Sequence, residues 1–155
     1  MLCEKTASER FVTLFWGVFD PATATLCYVN AGHAAPLLLR ANAVSGSAPD
    51  RLDEGGPVLG VLPNAQYRCG RRQIAAGDTL IVYSDGINEA EDQMEGQFGN
   101  DRVLTIASET STCAPERICE RIMSQVAGFS KPGSPQDDRT LMVVRFLQPE
   151  PVMAA

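Results

Sequence analysis

Two acidic positions in this chain stand where a carboxylate can be held rigidly enough to do chemistry. Asp85 follows the apolar run 79–84 (TLIVYS) and directly precedes Gly86, with Ile87, Asn88 and Glu89 behind it. Asp137 and Asp138 lead through Arg139 and Thr140 into a second apolar run, 141–147 (LMVVRFL). A carboxylate at a strand end is fixed by the strand, and a following glycine permits close approach to the backbone. If the two runs are neighbours in one sheet, both acids project from the same rim. Convergent carboxylates there suit Mg²⁺ or Mn²⁺, which prefer oxygen ligands. Each position also has a plainer reading, Asp-Gly as a turn and Asp-Asp as a solvated loop end. Residue types and spacing therefore reach a soluble α+β domain with a candidate hard-cation site, and no further.

Other chemistries find less support. His33 is the sole histidine, which excludes any mechanism needing two. Cys3, Cys27, Cys69, Cys113 and Cys119 are odd in number and contain no CxxC pair. They read as buried or incidental thiols in a reducing cytoplasm, and no spacing supports tetrahedral zinc with His33. A Ser84, His33, Asp85 triad has no surrounding sequence of the kind nucleophilic hydrolases carry.

The elements that must position these residues can be read along the chain. Residues 11–19 (FVTLFWGVF) are aromatic and β-branched, as a buried strand should be. Asp20-Pro21 begins a turn, and 25–30 (TLCYVN) alternates, with Leu26, Tyr28 and Asn30 on one face. After the tight 31–33 connection, 36–40 (PLLLR) returns as a third strand of an antiparallel meander. Residues 42–56 are polar and read as a surface loop, followed by a core-packing segment at 58–62 (VLGVL). A fourth strand is expected over 66–74, and 79–84 is the strongest strand signal. The period then changes: 101–109 is helical, and 115–129 is a helix with proline in its first turn and an Ile118, Ile122, Val126 core stripe. Strands first and helices late make an α+β layer, with antiparallel sheets and flanking helices.

Composition sets the outer bounds. A chain of 155 residues suits one domain, with 45% hydrophobic and 21% charged residues, so it should fold rather than stay disordered. Thirteen basic against 19 acidic side chains leave a net charge of −6, which argues against a nucleic-acid binder. No apolar run approaches the roughly 18–20 residues a membrane span needs. The 11–19 stretch is read as a strand rather than a signal peptide, because Glu4 and Glu9 sit in the would-be basic region.

Five blocks in order carry a resemblance. They are FVTLFWGVFDPATATLCYVNAGHAAPLLL, GGPVLGVLP, GDTLIVYSDGINEAED, FGNDRV and QDDRTLMVVRF, spanning about 11–146. Together they closely resemble the PPM-type serine/threonine phosphatases, and within them the bacterial SpoIIE/RsbU branch. The most specific segment is 83–90 (YSDGINEA).

The resemblance implies an αββα sandwich and a cytoplasmic phosphatase. A two-metal centre of Mn²⁺ or Mg²⁺ would activate water to remove phosphate from phosphoserine or phosphothreonine. It implies metal ligation by Asp85 and Asp137, a close backbone contact at Gly86, a supporting place for Asp138, and a place near the cleft for His33. Its substrate class would be a small phosphorylated regulator such as an anti-sigma-factor antagonist, with an upstream sensor domain or a completing chain as further partners and no nucleic acid or membrane. Two departures matter. Arg139 stands where the family usually has an apolar residue, and is expected in solvent or against substrate phosphate. Residues 2–10 hold no counterpart of the earlier Gly-Asp motifs that complete the metal shell. The expectation is an incomplete sandwich over 1–148 and a tail over 149–155. One face should be uncovered, and a bridged metal pair lies out of reach. A non-catalytic, partner-binding version of the fold and a truncated inactive fragment are the competing readings.

Overall fold

A computed structural model describes residues 11–43, 47–131 and 137–147, and two sheets organise them. The first contains β1 (Leu14–Asp20), β2 (Thr25–Ala31), β5 (Gly55–Gly56) and β6 (Gly70–Gln73). Its order is β1-β2-β5, with β6 also pairing β2. β1 and β2 form an antiparallel hairpin with Trp16 opposite Val29. Asp20 closes its turn by accepting from the Ala22 amide at 2.9 Å and the Thr23 hydroxyl at 2.8 Å. The second sheet runs β4 (Asp50–Arg51), β3 (Leu37–Leu39), β7 (Thr79–Tyr83) and β8 (Leu141–Arg145), antiparallel throughout.

Three helices are found among the described residues. They are the single turn α1 (Asp85–Asn88), α2 (Asn100–Glu109) and α3 (Pro115–Phe129). Period-two alternation divides the core between two layers. Leu37, Leu39, Ile81, Tyr83, Leu141 and Val143 point toward the helices, where they meet Val103, Ile106, Ile118, Ile122 and Val126. Leu38, Leu80, Val82 and Val144 point the other way, against Leu26, Tyr28 and Phe15 of the first sheet. Each buried Leu, Ile or Val side chain contributes about 1.5–3 kcal/mol over an exposed one, so these layers hold the second sheet from both sides. The mixed α+β architecture and the α3 core stripe agree with the sequence reading.

Several elements differ from it. Residues 37–39 do not continue a meander; they cross to the second sheet, because Leu37, Leu38 and Leu39 are all buried and need cover on both faces. The presumed surface loop contains β4, β5 and the fully buried Leu52. Arg40 pins it by bonding Asp50 at 2.7 Å and Asp78 at 2.9 Å. In the 58–62 segment, Val61 and Leu62 are 55% and 54% exposed rather than core. The largest difference concerns β1, expected to be buried. Leu14, Trp16 and Val18 share its outer face and are 44%, 59% and 48% exposed. Both longer helices pack on the second sheet, and the β1 part of the first sheet's outer face stays exposed at Leu14, Trp16 and Val18. Among the described residues the layers are helices, sheet, sheet. The expected tail, 149–155, lies outside the described residues.

Candidate functional site

β7 and β8 are neighbours, as the rim argument requires. Their ladder runs from Thr79 opposite Arg145 to Tyr83 opposite Leu141. One step further, the Ser84 amide donates to the Thr140 carbonyl at 3.0 Å. The Ser84 hydroxyl donates to the Asp138 carbonyl and accepts from the Thr140 amide, both at 2.9 Å. Ser84 thus closes the sheet end and is no nucleophile in waiting.

Asp85 opens α1, with its side chain exposed and Oδ1 accepting from the Gly86 amide at 3.0 Å. Ile87 is fully buried and anchors the turn beneath it. Asp137 is also exposed, with Oδ1 accepting from the Asp138 amide at 2.9 Å. Gly86 brings the two acidic segments together. A Cβ there would stand 2.6 Å from the Asp138 carbonyl oxygen and 3.1 Å from that of Asp137. The close backbone approach at Gly86 is therefore made by the 137–138 main chain. Asp85, Asp137 and Asp138 share one end of the second sheet.

His33 belongs to the connection between β2 and β3. The Asn30 side chain builds that turn, accepting from the His33 amide at 2.8 Å and donating to the His33 carbonyl at 3.0 Å. The antiparallel register, Leu37 opposite Ile81, sends 33–36 toward the Asp85 end. The hydrogen-bond partner of the ring is Thr13, with Nδ1 3.4 Å from Oγ1, rather than a rim carboxylate.

Arg139 is not simply solvated, as one of its two expected places would have it. Half-buried, it donates from Nε to the Gly86 carbonyl at 3.2 Å and from Nη2 to the Ser130 hydroxyl at 2.6 Å. Ser84 and Arg139 are the two site residues that sequence reasoning undervalued. Their partners lie 9 to 56 positions away, and no local pattern announces such bonds.

The donor set is all oxygen, which suits a hard divalent cation. Among the described residues, however, no three His, Cys, Asp or Glu side chains gather closely enough to hold a metal. Asp85 and Asp137 place two exposed carboxylates at this rim, and the described residues do not furnish the shell of a bridged pair. Nearby, Tyr83 donates to Asn100 Oδ1 at 3.0 Å, and burial raises its pKa above the ordinary phenol value.

Comparison with known proteins bears on the family and the fold. The family described as Stage II sporulation protein E (SpoIIE) matches residues 1–147. Protein IcfG of Synechocystis sp. is 30% identical over 134 residues, which is 86% of this chain and 20% of that protein. The chain spans a fifth or less of the curated relatives it matches. A solved structure of the PP2C phosphatase domain and a fragment of the regulatory domain of SpoIIE from Bacillus subtilis superposes with a TM-score of 0.73. Identity is 23%, covering 92% of this chain and 40% of that one. The RsbU and RsbW domains of Rv1364c from Mycobacterium tuberculosis give a TM-score of 0.72 at 22% identity, covering 90% and 37%. The fold is that of PP2C phosphatase domains.

Proposed function

Because this chain belongs to the SpoIIE family, we propose that it is the metal-ligating C-terminal part of a protein serine/threonine phosphatase of the PPM type. Residues 1–148 form the partial domain and 149–155 a tail. The observation that supports this reading is the close backbone approach at Gly86, where a Cβ would meet the Asp138 and Asp137 carbonyl oxygens. Asp85 and Asp137 would hold Mn²⁺ or Mg²⁺ through their carboxylate oxygens, with Asp138 supporting and His33 a neighbour. A bound cation supplies a more acidic water and neutralises phosphoryl oxygens. The chain's own part is to fix the two carboxylates before any ligand arrives, so that little ordering remains to be done on binding. The substrate would be a small phosphorylated regulator such as an anti-sigma-factor antagonist, in the cytoplasm. The pairing of RsbU with RsbW domains in a similar solved chain supports that context.

The test is a calorimetric Mn²⁺ titration of the 155-residue chain beside an assay of phosphate-ester hydrolysis. Mn²⁺ should bind, Asp85→Asn should abolish binding, and hydrolysis should be slow until upstream sequence is added. Binding or strong hydrolysis retained in Asp85→Asn would sink the assignment. One observation favours a second reading, a non-catalytic partner-binding module: the described residues gather no three-ligand cluster. A folded chain that takes up no Mn²⁺ would select it.

A further inference from the structure

Asp85 lies between two residues that are each tied to the opposite acidic segment. Ser84 holds the Asp138 carbonyl and the Thr140 amide from one side. On the other side the Gly86 carbonyl accepts from Arg139, while its Cα packs against the 137–138 main chain. The Arg139 guanidinium reaches further, to a Ser130 hydroxyl that itself donates to the Val126 carbonyl at 2.7 Å in the last turn of α3. A planar fork can serve both acceptors at once, and a lysine ammonium on a flexible stem cannot hold them in one geometry. The same charge stands beside an acidic rim of Asp85, Asp137 and Asp138.

We propose that Arg139 is a positioning residue of this rim. It fixes the spacing of Asp85 and Asp137 by clamping the 137–140 segment to the α1 turn and to the end of α3. The assignment rests on the reading of the rim as a cation site. Arg139 touches neither carboxylate in the contacts described, so it acts through the backbone that carries them. The clamp also makes the end of α3 part of the site, since a shift of that turn pulls on Arg139 and through it on Gly86.

A clamp and a mere charge predict opposite results. If only the charge mattered, Arg139→Leu would bind Mn²⁺ more tightly, because a nearby cation has been removed, and Arg139→Lys would match the wild type. If the clamp matters, both variants lose the fork and both bind more weakly, by about tenfold, as outer-shell substitutions typically do. Ser130→Ala, which cuts only the α3 arm, should fall between wild type and Arg139→Leu. The experiment is calorimetric titration of the 155-residue chain and these variants with MnCl₂. Amide hydrogen exchange in β7 and β8 reports that each variant remains folded. An apolar residue usually stands here in the resembled family, so Arg139→Leu is expected to fold. A wild-type Kd in Arg139→Lys, or a tighter one in Arg139→Leu, overturns the clamp while leaving the site reading intact. No Mn²⁺ binding by the wild type, or binding that survives Asp85→Asn, overturns the site reading and the clamp with it.

Discussion

Asp85 is placed less by its own contacts than by the absence of a side chain at its neighbour. The Asp138 and Asp137 carbonyl oxygens occupy the space a Cβ at Gly86 would need, at 2.6 and 3.1 Å. Both are main-chain atoms and cannot swing aside as a flexible side-chain tip could. Gly86→Ala must therefore move the 137–138 segment or the α1 turn, at a cost of about 1–3 kcal/mol, the usual range for overpacking. Urea unfolding should register the loss as a lower midpoint at unchanged slope. A midpoint equal to wild type would mean that the two acidic segments are not in backbone contact in solution.

At the scale of elements, the site depends on how α2 and α3 seat on the second sheet, and one phenol reports that seating. Tyr83 ends β7, is fully buried, and donates to Asn100 at the first position of α2. Its pKa is raised by burial above the ordinary value of 10.0. A raised folded-state pKa means that the native phenol keeps its proton while the unfolded one loses it. The stability from this group is complete below pH 10 and is lost as pH rises through the folded value. Cys119 acts in the same direction from pH 9, since burial and Glu116 raise its thiol. Unfolding measured from pH 8 to 11 should show a decline that Tyr83→Phe partly removes, leaving the Cys119 share. An identical decline in the variant would show the phenol is not buried.

These elements also show what the sequence made legible. The 79–84 run, the α3 stripe and the Leu26, Tyr28, Asn30 face could be read because each repeats at the period of its own element. The crossing of 37–39 between sheets could not, since three buried leucines look alike in a meander and in a central strand. Leu52 was hidden by its polar neighbours, yet it is buried in the cluster between the sheets with Leu26, Tyr28 and Leu38. At the site, the two acids and the glycine were visible in sequence. The ties from Ser84 and Arg139 were not, because such bonds are decided by folding rather than by spacing.

For the whole molecule, the layer order decides how the chain behaves in solution. A sheet packed on one face exposes the other, and an uncovered face is tolerable when it is polar. Here it is apolar at its edge: Leu14, Trp16 and Val18 stand opposite Ala31, Val29 and Cys27, and turn polar only toward Arg71 and Gln73. Residues 11–19 carry no charge, so β1 lacks the lysines and prolines that usually protect an edge strand. Trp16→Lys with Val18→Lys should therefore reduce self-association, read by sedimentation, and reduce binding of a dye that reports apolar surface. Because both side chains are already half exposed, the isolated chain's stability should shift by no more than about 0.5 kcal/mol. A large loss of stability would instead show that the face is buried in solution. The concentration dependence of that loss would then distinguish cover by a second copy from cover within the chain.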